Sequence, residues 1–168
     1  MQAEEREEIA KARREGSLNM LASAPQELVI RAQPPLRAVV VLLESAGLPT
    51  VDLRPEHLEH FFYCGASEAP TGLVGLELLG NDALLRSLLV APEARRGGVG
   101  SALVEHAENY AHSKGVRTIY LLTNTAEKFF SQRGYLRIAR AAAVPAIQAT
   151  HEFKELCPDS SALMAKAL

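Results

Sequence analysis

The sequence predicts one domain of mixed α/β or α+β type, built around a single sheet. Three observations carry this reading. Apolar runs of strand length alternate with stretches of helical periodicity along most of the chain. The 168 residues, with a net charge of −2 and mean hydropathy near zero, suit one soluble domain with a sizeable core rather than two. No internal repeat or low-complexity tract breaks the pattern.

Residues 1–24 are charged and alanine-rich without a strong core stripe, which predicts a solvated helix or mobile extension ahead of a domain over 25–168. "ELVIRA" then reads as a strand. "PLRAVVVLLESAGL" reads as a helix with Pro in its first turn and Gly47 near its end, and "RPEHLEHFF" as a second, short helix. The runs "FFYCG" and "GLVGLELLG" flank "ASEAPTG", whose Pro and Gly predict a hairpin turn. "ALLRSLLV" is a further strand, closed by Pro92. From Gly98 to Lys114 the residues Val99, Leu103, Ala107 and Tyr110 recur at helical spacing, with Gly115 as the stop. "RTIYLLT" is strand-like, "AEKFFSQRG" is a short helix ended by Gly134, and "YLRIAR" is extended. In "AVPAIQATHEFKELC", Ala146, Ala149, Phe153 and Leu156 fall on one helical face, and "SSALMAKAL" reads as a last strand.

Composition excludes several classes of function. No run nears the roughly 18 apolar residues of a membrane helix, so no membrane partner is expected. The start, "MQAEEREEIAKARREG", has no apolar stretch for a signal peptide and is too acidic for a transit peptide, so a cytoplasmic location is expected. Without a basic, aromatic-rich stripe, nucleic acid is not an expected partner. Cys64 and Cys157 follow no metal or disulfide spacing and read as buried, inert thiols. His57 and His60 lack a third ligand nearby, His106 and His112 read as solvated, and no metal site is expected.

The segment "VAPEARRGGVGSAL" crowds Arg95, Arg96, Gly97, Gly98 and Gly100 between a strand and a helix. A strand, a glycine-rich turn and a helix in that order leave backbone N–H groups facing outward, which makes an anion site; side chains at Gly98 or Gly100 would hold a phosphate away. The alternative is a tight strand–helix connection with solvated arginines. The segment fits neither the P-loop nor the dinucleotide fingerprint.

"RRGGVG" in this context matches the (Arg/Gln)-x-x-Gly-x-(Gly/Ala) pyrophosphate motif, and "AEKFFSQRGY" at 126–135 is similar to Ala-x-x-Phe-Tyr-x-x-x-Gly-Phe. Together, at the right interval, they resemble the GNAT superfamily of acyl-CoA-dependent N-acyltransferases over about residues 25–168. Short stretches, "LLRSLLVAPEARRGGVG", "YLLTNTAEKFFSQRGY" and "ATHEFKELCPDSSALM", resemble its arsenic-resistance N-acetyltransferase branch.

The resemblance implies a mostly antiparallel sheet of about seven strands, flanked by helices and splayed at the acyl-CoA site. It implies acetyl transfer from acetyl-CoA, a co-substrate, directly to a small-molecule amine, which in that branch is an amino-acid-like organoarsenical. The backbone of Leu88, Leu89 and Val90 is then expected to hold the pantetheine arm. The pyrophosphate falls to Arg95 through Ser101, that is, Arg96, Gly97, Gly98, Val99 and Gly100 between them, and Asn124 stands near the wall of the gap. A homodimer is left open, as are two rival functions: a non-catalytic acyl-CoA sensing module, and a peptide or protein N-acetyltransferase.

An amine must lose its proton to attack. Glu77 is the candidate base, against the alternative of a solvent-facing strand carboxylate. Arg86, inside an apolar run, either binds an acidic acceptor or pairs with Glu77; Ser87 alternates to the other face. Phe130 stands where many members of the superfamily carry a tyrosine that protonates the leaving thiolate. Either the thiolate leaves unaided or Tyr135 donates, with a core aromatic as the alternative role for Tyr135. The 144–157 segment, extra to the common plan, is expected to wall the acceptor site.

Overall fold

The computed structural model describes residues 27–168, so the expected extension at 1–24 lies outside the described residues. One seven-stranded sheet runs in the order β1-β2-β3-β4-β5-β7-β6. In chain order the strands are β1 (Arg31–Ala32), β2 (Phe61–Ala66), β3 (Ala69–Leu79), β4 (Asp82–Val90), β5 (Thr118–Thr123), β6 (Leu136–Ile138) and β7 (Ala162–Ala167). The helices are α1 (Leu36–Ser45), α2 (Val99–Ser113), α3 (Glu127–Ser131) and α4 (Pro145–Gln148). Every neighbouring pair is antiparallel except β4 and β5, and their parallel pairing requires the crossover that α2 supplies.

One face of the sheet is covered by α2 and α3. Leu103, Val104, Ala107 and Ala111 of α2 are buried there against Phe62, Val74, Leu85 and Ile119. The opposite face carries two smaller clusters. Val39 and Leu43 of α1 join Phe61 and Leu73 in one, and Ile147 joins Leu84, Tyr120 and Leu163 in the other. Burying each such aliphatic side chain contributes about 1.5–3 kcal/mol, so the two-sided sheet is the main source of stability. Gly75 is needed within β3 because a Cβ there would collide with the Phe61 ring.

Several expectations are corrected. "ELVIRA" contributes only a two-residue strand: Leu28 and Val29 are exposed, and Gln33, at φ 58°, turns the chain so that its N–H bonds Phe61 O at 3.0 Å. "RPEHLEH" forms a 3₁₀ turn over Pro55–His60. There the Arg54 N–H donates to His57 Nδ1 at 3.2 Å, and His60 Nδ1 pairs with the Tyr110 hydroxyl at 2.8 Å, so both histidines have structural roles. His106 is half-buried, its ring edge-on to Phe62 with centroids 4.7 Å apart, rather than solvated. The 144–157 segment is not one helix. It breaks into α4 and a π-helical turn over Glu152–Leu156, because the Thr150 hydroxyl donates to Ile147 O at 2.7 Å and accepts from the Phe153 N–H at 3.3 Å. Ala146 and Ala149, expected on a buried face, are exposed, and Ile147, Thr150 and Glu152 are buried instead.

Candidate active site

Two adjoining depressions open where β4 and β5 separate. Their parallel pairing runs only from Asp82↔Thr118 to Leu84↔Tyr120, and beyond Leu84 β4 has no strand on that edge. A bulge adds to the separation. Leu73 pairs with Leu89 and Gly75 with Arg86, so Ser87 and Leu88 together face Val74 alone, and Ser87 takes φ 56°. The bulge also cancels the expected alternation. Arg86 Nε donates to Ser87 Oγ at 3.4 Å, and both residues line the same cleft.

The first depression is a groove of about 690 Å³ at the start of α2. Gly98 is the N-cap at φ 73°, Arg96 is also left-handed at φ 72°, and no side chain caps the helix, so the first-turn N–H groups stay available. The space around the Gly98 Cβ position is open, as an incoming anion requires. Leu88, Leu89, Val90, Arg95, Arg96, Gly98, Val99, Gly100 and Ser101 all line the groove, whereas Gly97 sits in the turn outside its wall. Arg95 Nε donates to Val90 O at 3.0 Å, which ties the turn to the strand end.

Sequence reasoning missed Ala94, Thr125, Ala126, Phe129 and Arg133 in the groove, and of these Arg133 matters most. Arg133 lies over the Phe129 ring, 3.4 Å from its centroid, donates to Phe129 O at 2.5 Å and bonds the Ser101 hydroxyl, adding a third guanidinium to the groove. Its place four residues after Phe129, in the turn that follows α3, was the available signal.

The second depression, a cleft of about 470 Å³, shares Leu88, Thr125 and Ala126 with the groove. Leu48 and Pro49 after α1 form one wall, Asn124 and Phe130 another, and Glu152, Leu156 and Cys157 a third. Asn124 is fixed by the Ser161 hydroxyl, which donates to its Oδ1 at 2.7 Å.

Arg86, 3% exposed, is the cation of this cleft, and three carboxylates surround it. Asp52 takes both terminal nitrogens, with Nη2 at 2.9 Å from Oδ1. Glu77 Oε1 accepts from Nη1 at 2.7 Å, and Glu152 Oε1 lies 3.3 Å from Nε. Of the two roles open to Arg86, internal pairing is the one observed, with Asp52 as well as Glu77.

Burial works against the guanidinium charge, but Asp52, Glu152 and Glu77 outweigh it and raise its pKa. For Asp52, burial raises the pKa and Arg86 more than reverses the effect, leaving it below the ordinary value. Burial pushes Glu152 up to about 7; Arg86 pulls it down, and the charges of Glu77 and Asp52 push it further up. Glu152 lines the cleft while Glu77 lies behind it, bound to Arg86.

Two further assignments change. Tyr135 is 1% exposed and lines neither depression. Its hydroxyl makes no hydrogen bond among the described residues, and burial, with the nearby charge of Glu108, raises its pKa. Tyr135 is therefore a core aromatic. Cys157 is half-buried in the cleft wall, and burial, followed by the charge of Glu152, pushes its thiol up to about 11. Cys64 packs beneath α2 on the other side of the sheet, so the two thiols do not form a pair. No cluster of three or more metal-ligating side chains occurs among the described residues. Nor is any described helix long and apolar enough to cross a membrane.

Comparison with known proteins fits this geometry. The chain is 41% identical over 51 residues to an amino-acid acetyltransferase of Pseudomonas syringae pv. syringae, a match covering 30% of this chain and 12% of that relative. The chain thus spans about an eighth of the length of the curated relatives it matches. N-acetylglutamate synthase from Neisseria gonorrhoeae, solved with coenzyme A and N-acetyl-glutamate, superposes with a TM-score of 0.71 at 17% identity, over 86% of this chain and 36% of that one. A Mycobacterium tuberculosis protein solved with CoA and NLQ superposes with a TM-score of 0.67 at 17% identity, over 83% of this chain and 99% of that one. These structures share the fold, with its open seven-stranded sheet. The acetyltransferase (GNAT) family model matches residues 32–135, more than half of the chain, and the protein belongs to that family.

Proposed function

We propose that the protein is an acetyl-CoA-dependent N-acetyltransferase acting on a small amine. The observation that carries this reading is the junction of the two depressions: an uncapped, arginine-flanked helix start in one, and a buried carboxylate held near neutrality in the other. The groove fits a nucleotide pyrophosphate. The N–H groups opening α2 meet one phosphate, and Arg95, Arg96 and Arg133 supply charge-assisted contacts. The unpaired edge of β4 from Leu88 to Val90 suits an extended pantetheine arm.

Acetyl-CoA supplies an acetyl group activated as a thioester, which the amine nitrogen takes with release of the thiol. Within the cleft, Glu152 in place of Glu77 accepts the ammonium proton, because it lines the cleft and its pKa near 7 suits a base at neutral pH. Arg86 positions Glu152 through Nε, and Asp52 and Glu77 fix Arg86 in turn. With Tyr135 buried elsewhere and Phe130 lacking a hydroxyl, the thiolate leaves unaided, which a thiol pKa of about 8.5 permits. Holding both substrates in the joined depressions lowers the barrier by about 7–11 kcal/mol through proximity alone.

Two finer readings are kept for the same experiment. The amino-acid organoarsenical acceptor rests on the short motif resemblances alone. A non-catalytic acyl-CoA sensor is favoured by the missing hydroxyl at Phe130. A peptide acceptor is disfavoured by the walls that Leu48, Pro49 and the 152–157 turn raise around the cleft. The test is calorimetric titration of acetyl-CoA, followed by CoA-thiol release across a panel of amines, amino acids and amino-acid organoarsenicals. Micromolar binding with amine-dependent release, reduced about 10²–10⁴-fold in Glu152→Gln, is expected. Binding without release across the panel establishes the sensor, and no binding removes the proposal.

A further inference from the structure

The cleft has a charge asymmetry that bears on its acceptor, granted the acetyl-transfer reading above. Arg86 is the cation lining the cleft among the described residues, and four of its five N–H donors are already committed. Asp52 holds both terminal nitrogens, Glu77 Oε1 shares Nη1 at 2.7 Å, and Nε lies between Ser87 Oγ at 3.4 Å and Glu152 Oε1 at 3.3 Å. The fork that would recognise a substrate carboxylate is thus filled by the protein's own carboxylates. To take both terminal nitrogens, a fourth carboxylate would have to displace Asp52, whose side chain is only 9% exposed.

Glu152 shows the opposite need. It is 7% exposed, borders the cleft, approaches Arg86 with one oxygen, and makes no side-chain hydrogen bond among the described residues. A carboxylate so buried is stabilised by a donor or cation arriving from the cleft. The cleft also carries apolar side chains, Leu48, Leu88, Leu121, Phe130 and Leu156, alongside the uncharged polar Ser87, Asn124 and Ser161.

We propose that the acceptor is a monoamine without a free carboxylate, its ammonium group docked on Glu152 and its apolar body lying against Leu48, Leu121 and Leu156. The cleft therefore discriminates against amino acids, including those of the same side-chain shape. Discrimination arises from repulsion as well as attraction, since the three carboxylates around one guanidinium disfavour any further anion.

The test uses acceptor pairs that differ only in the carboxylate: phenethylamine against phenylalanine, and isoamylamine against leucine. Each is titrated calorimetrically into the full chain loaded with CoA and assayed with acetyl-CoA for thiol release. At least a tenfold advantage of the amine in affinity and in kcat/KM is expected within each pair. Glu152→Gln should remove most of that advantage while acetyl-CoA affinity stays within about twofold, and its thermal transition reports whether it folds. Amino acids binding as well as or better than their amines overturn the proposal, as does failure of all four compounds to bind a chain that binds acetyl-CoA. Amino-acid turnover with amine exclusion overturns this proposal while leaving acetyl transfer intact. A wild-type chain that does not bind acetyl-CoA removes both readings together.

Discussion

The groove at the start of α2 and the cleft beside it are built from different materials. The groove is made of backbone: two left-handed residues, Arg96 and Gly98, and an uncapped helix start, all within one short segment. The charge cluster that borders the cleft is made of side chains drawn from four places, with Asp52 after α1, Glu77 on β3, Arg86 on β4 and Glu152 in the π-helical turn. A backbone site depends on local conformation and tolerates change elsewhere. A side-chain site of one cation and three anions depends on every partner, and losing one leaves the others uncompensated in a buried place.

The sharpest way to break the comparison is Arg86→Met. With the buried Glu152 and the half-buried Asp52 and Glu77 left without their cation, unfolding free energy should fall by about 3–5 kcal/mol, read by urea denaturation. A loss below about 1 kcal/mol would mean that the cluster is solvated and carries little of the fold. Next is Gly98→Val. The open space at its Cβ predicts no collision within the fold, but φ 73° strains a β-branched residue and the side chain enters the anion site. Acetyl-CoA affinity is expected to drop roughly 100-fold, about 2.7 kcal/mol, with the far-UV spectrum unchanged. Retained affinity would show that the groove is only a connection.

A smaller effect lies in the pH dependence. Glu152, faced by Arg86, Glu77 and Asp52 in the cluster and by its neighbours His151 and Cys157, is raised from 4.5 to about 7. The folded state then holds a proton that the unfolded chain releases. This contribution stabilises the fold at pH below about 4.5 and is lost as pH rises towards 7. Asp52, lowered in the fold, works in the opposite sense, with stability lost as pH falls through its depressed value. Glu152→Gln should flatten the decline between pH 4.5 and 7, and wild-type kcat/KM should climb roughly tenfold from pH 6 to 8. A flat activity profile over that range argues against Glu152 as the base.

The smallest effect is expected for Tyr135→Phe. Removing a buried hydroxyl that has only the Glu108 carboxylate nearby should leave turnover unchanged and shift stability by less than about 1 kcal/mol in thermal unfolding. A 100-fold fall in turnover would restore Tyr135 as the proton donor to the thiolate.

The comparison also marks what could be read in advance. The helix from Val99, its glycine cap and the closing Gly115 at φ 86° follow from spacing within the segment, so the strand–turn–helix side of the groove was legible, whereas Thr125, Ala126, Phe129 and Arg133 across it were not. The mostly antiparallel sheet and the separation of β4 from β5 came with the family resemblance, because pairing between distant strands leaves no local trace. The break at Thr150 was hidden by a helical apolar period that its side-chain hydrogen bonds override.

By itself, then, the sequence determined most of the elements, the glycine turn and the charge available to an anion, since each depends on residues a few positions apart. Only the tertiary structure decided what Arg86 touches. Glu77, nine residues away, is a partner that strand alternation hints at, but Asp52 lies 34 residues away and Glu152 further still, brought in by packing on the second face of the sheet. It also decided that Ser87 shares the cleft with Arg86, because a bulge reverses the two-residue alternation on which strand reading relies.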